Sequence, residues 1–354
     1  MRHQNAFRFT LTYLAAALAF MGCAEKQPDF ASLRKIDAHF HIRHSGPEIL
    51  AQAAADNFRV ISPMVDHGDS NDLFRQRKFS DQQRQHRPEQ FAYLTAFPIE
   101  GWDEPDWQEN TIAYLKQEFE NGAIGVKVWK NIGMVFQDQH GAFVTIDNPK
   151  FDPIIDFIEA QDKTLTGHIG EPRDCWLPLE EMVATSNRNY YTQNPQYHMY
   201  LHPEYPAYED HIQAVTRMLE KHPDLRYVGC HLASIEWSVA ELGKFLDRFP
   251  NAAVDLAARI DDLQYQERDA VRAFFISYQD RLLYGTDFGI SEDDDPAAFA
   301  RRMLEVWQRD WTWLSTDSVM TIPRIEHPVP GLDLPAKVLE KIYRLNAEKW
   351  YPGI

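Results

Sequence analysis

Residues 35–41 read Lys-Ile-Asp-Ala-His-Phe-His, with Asp37, His39 and His41 at alternate positions. Alternate residues of a strand share a face, so the two imidazoles point the same way and can chelate one divalent cation. Alone, a His-x-His pair is more often structural, and its weight comes from the strands that follow. Short apolar runs recur at Phe58–Val65, Phe91–Phe97, Ile124–Trp129, Thr164–His168, Tyr227–His231, Ala253–Leu256 and Leu282–Asp287, each of a length suited to a buried strand. Amphipathic stretches lie between them, at Pro47–Asp56, Trp107–Glu120, Phe151–Ala160, Tyr208–Lys221, Ser234–Arg248 and Gln264–Tyr278. Eight β-then-α units in one series predict a single (β/α)8 TIM-like barrel over residues 35–354. An open doubly wound sheet would carry a glycine-rich phosphate turn after an early strand, and the sequence has none. Leu334–Trp350 reads as a last helix covering the barrel.

Two connections are too long for plain turns: Lys130–Pro149 after strand four and Gly170–Ala207 after strand five. The second carries Trp176, Tyr190, Tyr191, Tyr197, Tyr200 and Tyr205. Long ordered loops on this side of a barrel shape the substrate site; an aromatic mini-core that holds the loop together is an equally good reading.

All strand C-termini of a parallel barrel meet at one mouth. Strand five ends in His168, strand six in His231 and strand eight in Asp287. Each of these residues singly favours a structural role, but together with His39 and His41 they point to a metal site. The series resembles the amidohydrolase superfamily, and within it the amidohydrolase-related branch that contains aminocarboxymuconate-semialdehyde decarboxylase. The likeness runs from about Lys35 to the C-terminus. It rests on Asp37-x-His39-x-His41, His168-x-Gly170, His231, Tyr284-Gly-Thr-Asp287 and Asn346-Ala347. It implies that His39, His41, His168 and Asp287 bind the metal and that His231 helps to polarise the attacking water or the substrate carbonyl. Many relatives have a glycine pair soon after the sixth-strand His, where this chain reads His231-Leu-Ala-Ser234.

The chemistry gives the same parts work to do. A divalent cation brings water toward a neutral pKa. Asp287 can ligate through one oxygen and take a proton on the other, and His231 can hydrogen-bond a developing oxyanion. Asp37 either orients a ligand histidine or caps the strand end. Lys127 and Trp129 face the barrel interior, and a buried lysine is rare unless paired. Lys127 can be carboxylated to bridge two metals, bind a substrate carboxylate or pair with an inward acid; substrate binding or structural pairing is preferred. Glu171, Arg173, Trp176 and Arg259 complete the candidate substrate-binding set, with surface ion pairing as the alternative for each charge. Two arginines near one mouth suit a carboxylate-bearing substrate.

The expected activity is metal-dependent hydrolysis of an amide, ester or lactone in a small polar molecule, with one divalent ion. Zn2+ suits three histidines and an aspartate, and Mn2+ or Fe2+ are alternatives. Non-oxidative decarboxylation by the same metal site is the runner-up, and a tethered binding protein without catalysis is the reading from another class. The net charge of -17 argues against a nucleic-acid partner. Cys23, Cys175 and Cys230 are too few for a disulfide framework. Residues 1–22 combine Arg2, Arg8 and an apolar run, which reads as a signal peptide. Gly22-Cys23 suggests a lipoprotein cleavage site, with Cys23 lipidated and residues 23–34 as a tether. The expected location is then the bacterial envelope, membrane-anchored and facing the periplasm, with a soluble periplasmic protein as the alternative. Homo-oligomer formation is left open.

Overall fold

The computed structural model describes residues 28–354. The proposed leader and Cys23 lie outside the described residues. The barrel strands are β1 (Lys35–Asp37), β2 (Phe58–Pro63), β3 (Phe91–Leu94), β4 (Gly125–Val128), β5 (Thr164–Gly167), β6 (Tyr227–Gly229), β7 (Ala252–Asp255) and β8 (Leu282–Leu283). β1, β2 and β3 form one parallel ladder and β4 to β8 another, each in chain order. The ladders join at β3–β4 through the Thr95–Val126 bridge and the Lys127 N–H, which donates to Thr95 O at 2.6 Å. They join at β8–β1 through Ala38 N–H to Tyr284 O (2.9 Å) and Asp287 N–H to His39 O (2.8 Å). Beyond that seam Phe40–Arg43 pairs in parallel with Phe288–Ser291. The result is the TIM barrel that the eight-fold sequence pattern predicts.

The strand ends are shorter than the apolar runs. The first run breaks between Asp37 and Phe40, and the strand-six run ends at Gly229. These breaks put His39 and His231 on irregular backbone at the mouth, where side chains can converge instead of alternating.

The interior floor is apolar: Ile36, Ile61, Leu94, Val228 and Leu283 pack on Trp350 and Tyr351 of the last helix. Thr164 Oγ1 donates to Trp350 O, and Thr166 Oγ1 and Tyr351 OH lie 2.9 Å apart. The C-terminal helix (336–350, with a wide turn at Lys341–Leu345) therefore closes one end of the barrel, as the reading of Leu334–Trp350 anticipates. The larger core lies between the strands and the helices, with Trp307 stacked on Phe58 at 3.8 Å.

Other helices depart from expectation in instructive ways. Ser70–His86 was not singled out, because its barrel-facing side carries Gln76, Ser80 and Gln83 as well as Leu73. Those glutamines serve as backbone partners: Gln76 bonds both Val65 N–H and Val65 O, and Gln83 reaches His44 O and Gly46 O. The helix expected at Ser234–Arg248 starts at Val239, since the preceding turn is wound the other way. The helix expected at Gln264–Tyr278 runs from Arg268 to Ser277, and a separate short helix, Ile260–Gln264, precedes it. Within the stretch 23–34, Phe30 and Leu33 dock on the barrel and Lys35 Nζ donates to their carbonyls at 2.5 and 2.8 Å. Among the described residues no helix is long and apolar enough to cross a membrane.

Candidate metal centre

His39 and His41 come from the break after β1, His168 from the end of β5, His231 from the turn after β6 and Asp287 from the end of β8. His39 Nε2 and His41 Nε2 each lie 3.3 Å from Asp287 Oδ1. Donor atoms around a tetrahedral zinc are also separated by about 3.3 Å, given bonds near 2.0–2.1 Å. His39, His231 and Asp287 form a compact group with donor atoms all within 4.8 Å. His168 joins it through His231, Nδ1 to Nε2 at 3.2 Å.

The hydrogen-bond partners assign the tautomers. His39 Nδ1 faces Asp255 Oδ2 at 2.8 Å, His41 Nδ1 faces Pro63 O at 2.9 Å and His231 Nδ1 faces Ala257 O at 2.8 Å. Each acceptor holds a proton on Nδ1, so Nε2 is the ring nitrogen left for a cation. The bare His231 Nε2 accepts from His168 Nδ1–H, which in turn leaves His168 Nε2 bare. That nitrogen is buried and has no hydrogen-bond partner among the described residues. His41 and His168 thus offer an unprotonated Nε2, the donor a divalent cation requires, and His39 presents its Nε2 beside Asp287, where a cation would displace the ring's second proton.

The electrostatics agree. Burial, the largest influence, lowers the pKa of His41 to about 4 and of His231 to about 3, and holds His168 well below the normal imidazole value. These rings are neutral at pH 7. Burial opposes ionisation of Asp287, but His231, His39 and His41 outweigh it and hold this carboxyl well below the usual range. Burial and Lys127 disfavour a proton on His39, yet Asp255, Cys230 and Asp287 prevail and raise its pKa to about 10. A place so favourable to a proton is favourable to a metal cation.

Lys127 is only 1% exposed, with Nζ 3.1 Å from His39 Nε2 and 3.2 Å from Cys230 Sγ. It is paired, as preferred from the sequence, but with a histidine and a thiol and not with an acid. Its ammonium is enclosed with the His39 ring and the Cys230 thiol. An ammonium and a metal cannot share one lone pair, so metal binding at His39 requires Lys127 Nζ to shift.

The turn after β6 explains the missing glycine pair. His231, Leu232, Ala233 and Ser234 have φ of 56°, 59°, 55° and 57°. This left-handed conformation costs a non-glycine residue roughly 1–2 kcal/mol, so four in a row persist only because surrounding contacts hold them. Asp255 Oδ1 accepts from His231 N–H at 2.7 Å, Ser234 Oγ donates to Ile169 O at 2.9 Å, and Tyr208 OH donates to Ser234 O at 2.5 Å. With its Nδ1–H committed to Ala257 O, a neutral His231 has no N–H to give an oxyanion.

Asp37 caps the strand end. Its oxygens accept from His39 N–H, Thr286 N–H, Thr286 Oγ1 and Trp307 Nε1, and no imidazole is hydrogen-bonded to it among the described residues. The acid that orients a histidine is Asp255, the last residue of β7.

The remaining candidates scatter. Trp129 stands at the mouth with its ring edge on His67 at 4.7 Å, and Lys130 pairs with Glu171 there. Arg173 turns away, its guanidinium over Trp237 at 4.4 Å. Trp176 belongs to the loop's own core against Tyr208 and His211, and its Nε1 donates to Pro206 O. Arg259 donates to Ala258 O, with the acids Asp262 and Glu236 in its surroundings. Arg173 and Trp176 are therefore removed from the mouth. A cleft of about 240 Å3 reaches Asp287 and Phe288. It shares Ala258, Asp261 and Arg324 with a cavity of about 710 Å3 bordered by Asn187, Tyr190 and Arg259.

A parallel barrel with three imidazoles and an ionised aspartate at its C-terminal mouth defines a metal-dependent enzyme of the amidohydrolase type. The chain belongs to the amidohydrolase family, whose sequence profile matches residues 36–353. No curated protein matches it significantly. Among solved structures it is similar to 2,6-dihydroxybenzoate decarboxylase complexed with 2,6-dihydroxybenzoate (14% identity, TM-score 0.51, 90% of this chain and 99% of that one). It is also similar to 4-oxalomesaconate hydratase from Rhodopseudomonas palustris (12% identity, TM-score 0.46, 90% and 96%). A third is N-isopropylammelide isopropylaminohydrolase from Burkholderia multivorans (14% identity, TM-score 0.41, 86% and 62%).

Proposed function

We propose that the enzyme hydrolyses an amide, ester or lactone bond of a small polar molecule. His39, His41 and His168 through Nε2, and Asp287 through one carboxylate oxygen, would hold one divalent ion, with zinc the ion best suited to this donor set. When bound there, such an ion supplies Lewis acidity toward a carbonyl and acidifies water. Asp287 accepts the proton of the attacking water on its second oxygen and passes it to the leaving group. His231 accepts from His168 Nδ1–H and so leaves that ring's buried Nε2 bare. The observation that carries this reading is the orphaned His168 Nε2 beside two further imidazoles with the same tautomer. A carboxylate on the substrate would meet Arg324, which lines both cavities and is 70% exposed on its side chain.

The test is a panel of amides, esters, lactones and aromatic carboxylic acids, with acid release and carbon dioxide release followed in parallel. Hydrolysis that stops on chelation and returns with Zn2+ supports the proposal. Carbon dioxide release without hydrolysis overturns it in favour of decarboxylation.

A further inference from the structure

We infer that Asp255 is the positioning residue that sets the tautomers of two metal ligands at once, His39 directly and His168 through a relay. The inference rests on the reading of His39 and His168 as ligands.

Asp255 ends β7 and is 1% exposed. Its two oxygens divide the work. Oδ2 faces His39 Nδ1 at 2.8 Å. A carboxylate only accepts, so a proton is held on His39 Nδ1 and Nε2 is the nitrogen left to face Asp287 and any cation there. Oδ1 accepts from two backbone groups, His231 N–H at 2.7 Å and Ala257 N–H at 3.2 Å. The first pins the opening residue of the left-handed turn. The second holds the residue whose carbonyl receives His231 Nδ1–H at 2.8 Å. His231 Nε2 is then an obligatory acceptor for His168 Nδ1–H at 3.2 Å, and His168 Nε2 is left bare. Removing the negative charge from Asp255 should therefore disturb ligands on β1 and β5 together, because its two oxygens are engaged by His39 Nδ1 and by the backbone that carries His231.

Asp255→Asn preserves shape but replaces one acceptor by an NH2 donor. With the amide oxygen retained by the two backbone N–H groups, the NH2 faces His39 Nδ1, which must then accept. The ring proton moves to Nε2 and the lone pair for the metal is lost. Zn2+ affinity, measured by competition with a chromophoric chelator on folded protein, should fall on the order of ten- to a hundredfold. Asp255→Glu, which restores a carboxylate, should recover part of that loss. His39→Ala serves as the reference and should lose Zn2+ outright. Unchanged Zn2+ affinity in folded Asp255→Asn, with Zn2+ lost in His39→Ala, overturns the inference and leaves the metal-site reading standing. Retention of Zn2+ by His39→Ala means that the metal-site reading itself has failed. Should Asp255→Asn not fold, 15N-histidine NMR of the zinc-loaded wild type decides. A His39 proton on Nδ1 supports the inference and a proton on Nε2 overturns it.

Discussion

His211 sits on the buried face of helix Tyr208–Lys221, 1% exposed, with neither ring nitrogen hydrogen-bonded among the described residues. It packs beneath the two long loops, against Trp176 and close to Gly133 and Gly170, the latter two residues beyond His168. Burial lowers its pKa to about 4, against a smaller upward pull from Asp210. The unfolded chain protonates this ring near 6.5. Between those values the unfolded state binds more protons, so stability is lost as pH falls through 6.5 toward 4. At 1.36 kcal/mol per pKa unit, this one ring removes about 2.5 kcal/mol of stability between pH 7.5 and 4.5. His211→Leu fills similar space without the titration, and it removes two unpaired polar atoms whose burial costs about 1–3 kcal/mol. The variant should be the more stable at pH 7.5, and the gap should widen by about 2.5 kcal/mol at pH 4.5 in urea titrations. Equal acid sensitivity of variant and wild type would refute the reasoning, as it would mean that the ring is solvated or paired in the native state.

His231→Asn tolerates the left-handed backbone but removes the acceptor for His168 Nδ1–H. Zn2+ affinity should weaken about tenfold or more, whereas a purely polarising His231 would leave affinity intact and lower only kcat. Asp37→Asn replaces a carboxylate that takes four donors and should destabilise by roughly 2–4 kcal/mol through the loss of charge-assisted bonds, read as a fall in urea midpoint. Cys23→Ser should move the protein from the membrane fraction to the soluble one; equal recovery from both would rule out lipid anchoring at this cysteine.

The barrel was legible because parallel strands buried on both faces are written as apolar runs, and eight such runs stand in Lys35–Asp287. Strand-end histidines and Asp287 were legible because strand order fixes which ends share the mouth. Tertiary detail escaped for physical reasons. The Ser70–His86 helix buries glutamines whose partners are backbone groups of other segments, so no hydrophobic period marks it. The turn at His231–Ser234 uses left-handed geometry without glycine, which only the contacts from Asp255, Ile169 and Tyr208 make tenable. Asp37 and Asp255 are both strand-end aspartates, and nothing local distinguishes the one that caps from the one that orients His39. The destinations of Arg173 and Trp176 depend on how the loop after β5 folds over Tyr208 and Trp237.

The most direct test of the central claim is elemental analysis of the purified protein beside His41→Ala and Asp287→Asn. A metal centre built on His39, His41, His168 and Asp287 predicts about one divalent ion per chain in the wild type and little in either variant. Two ions per chain, or full metal content in both variants, would contradict it.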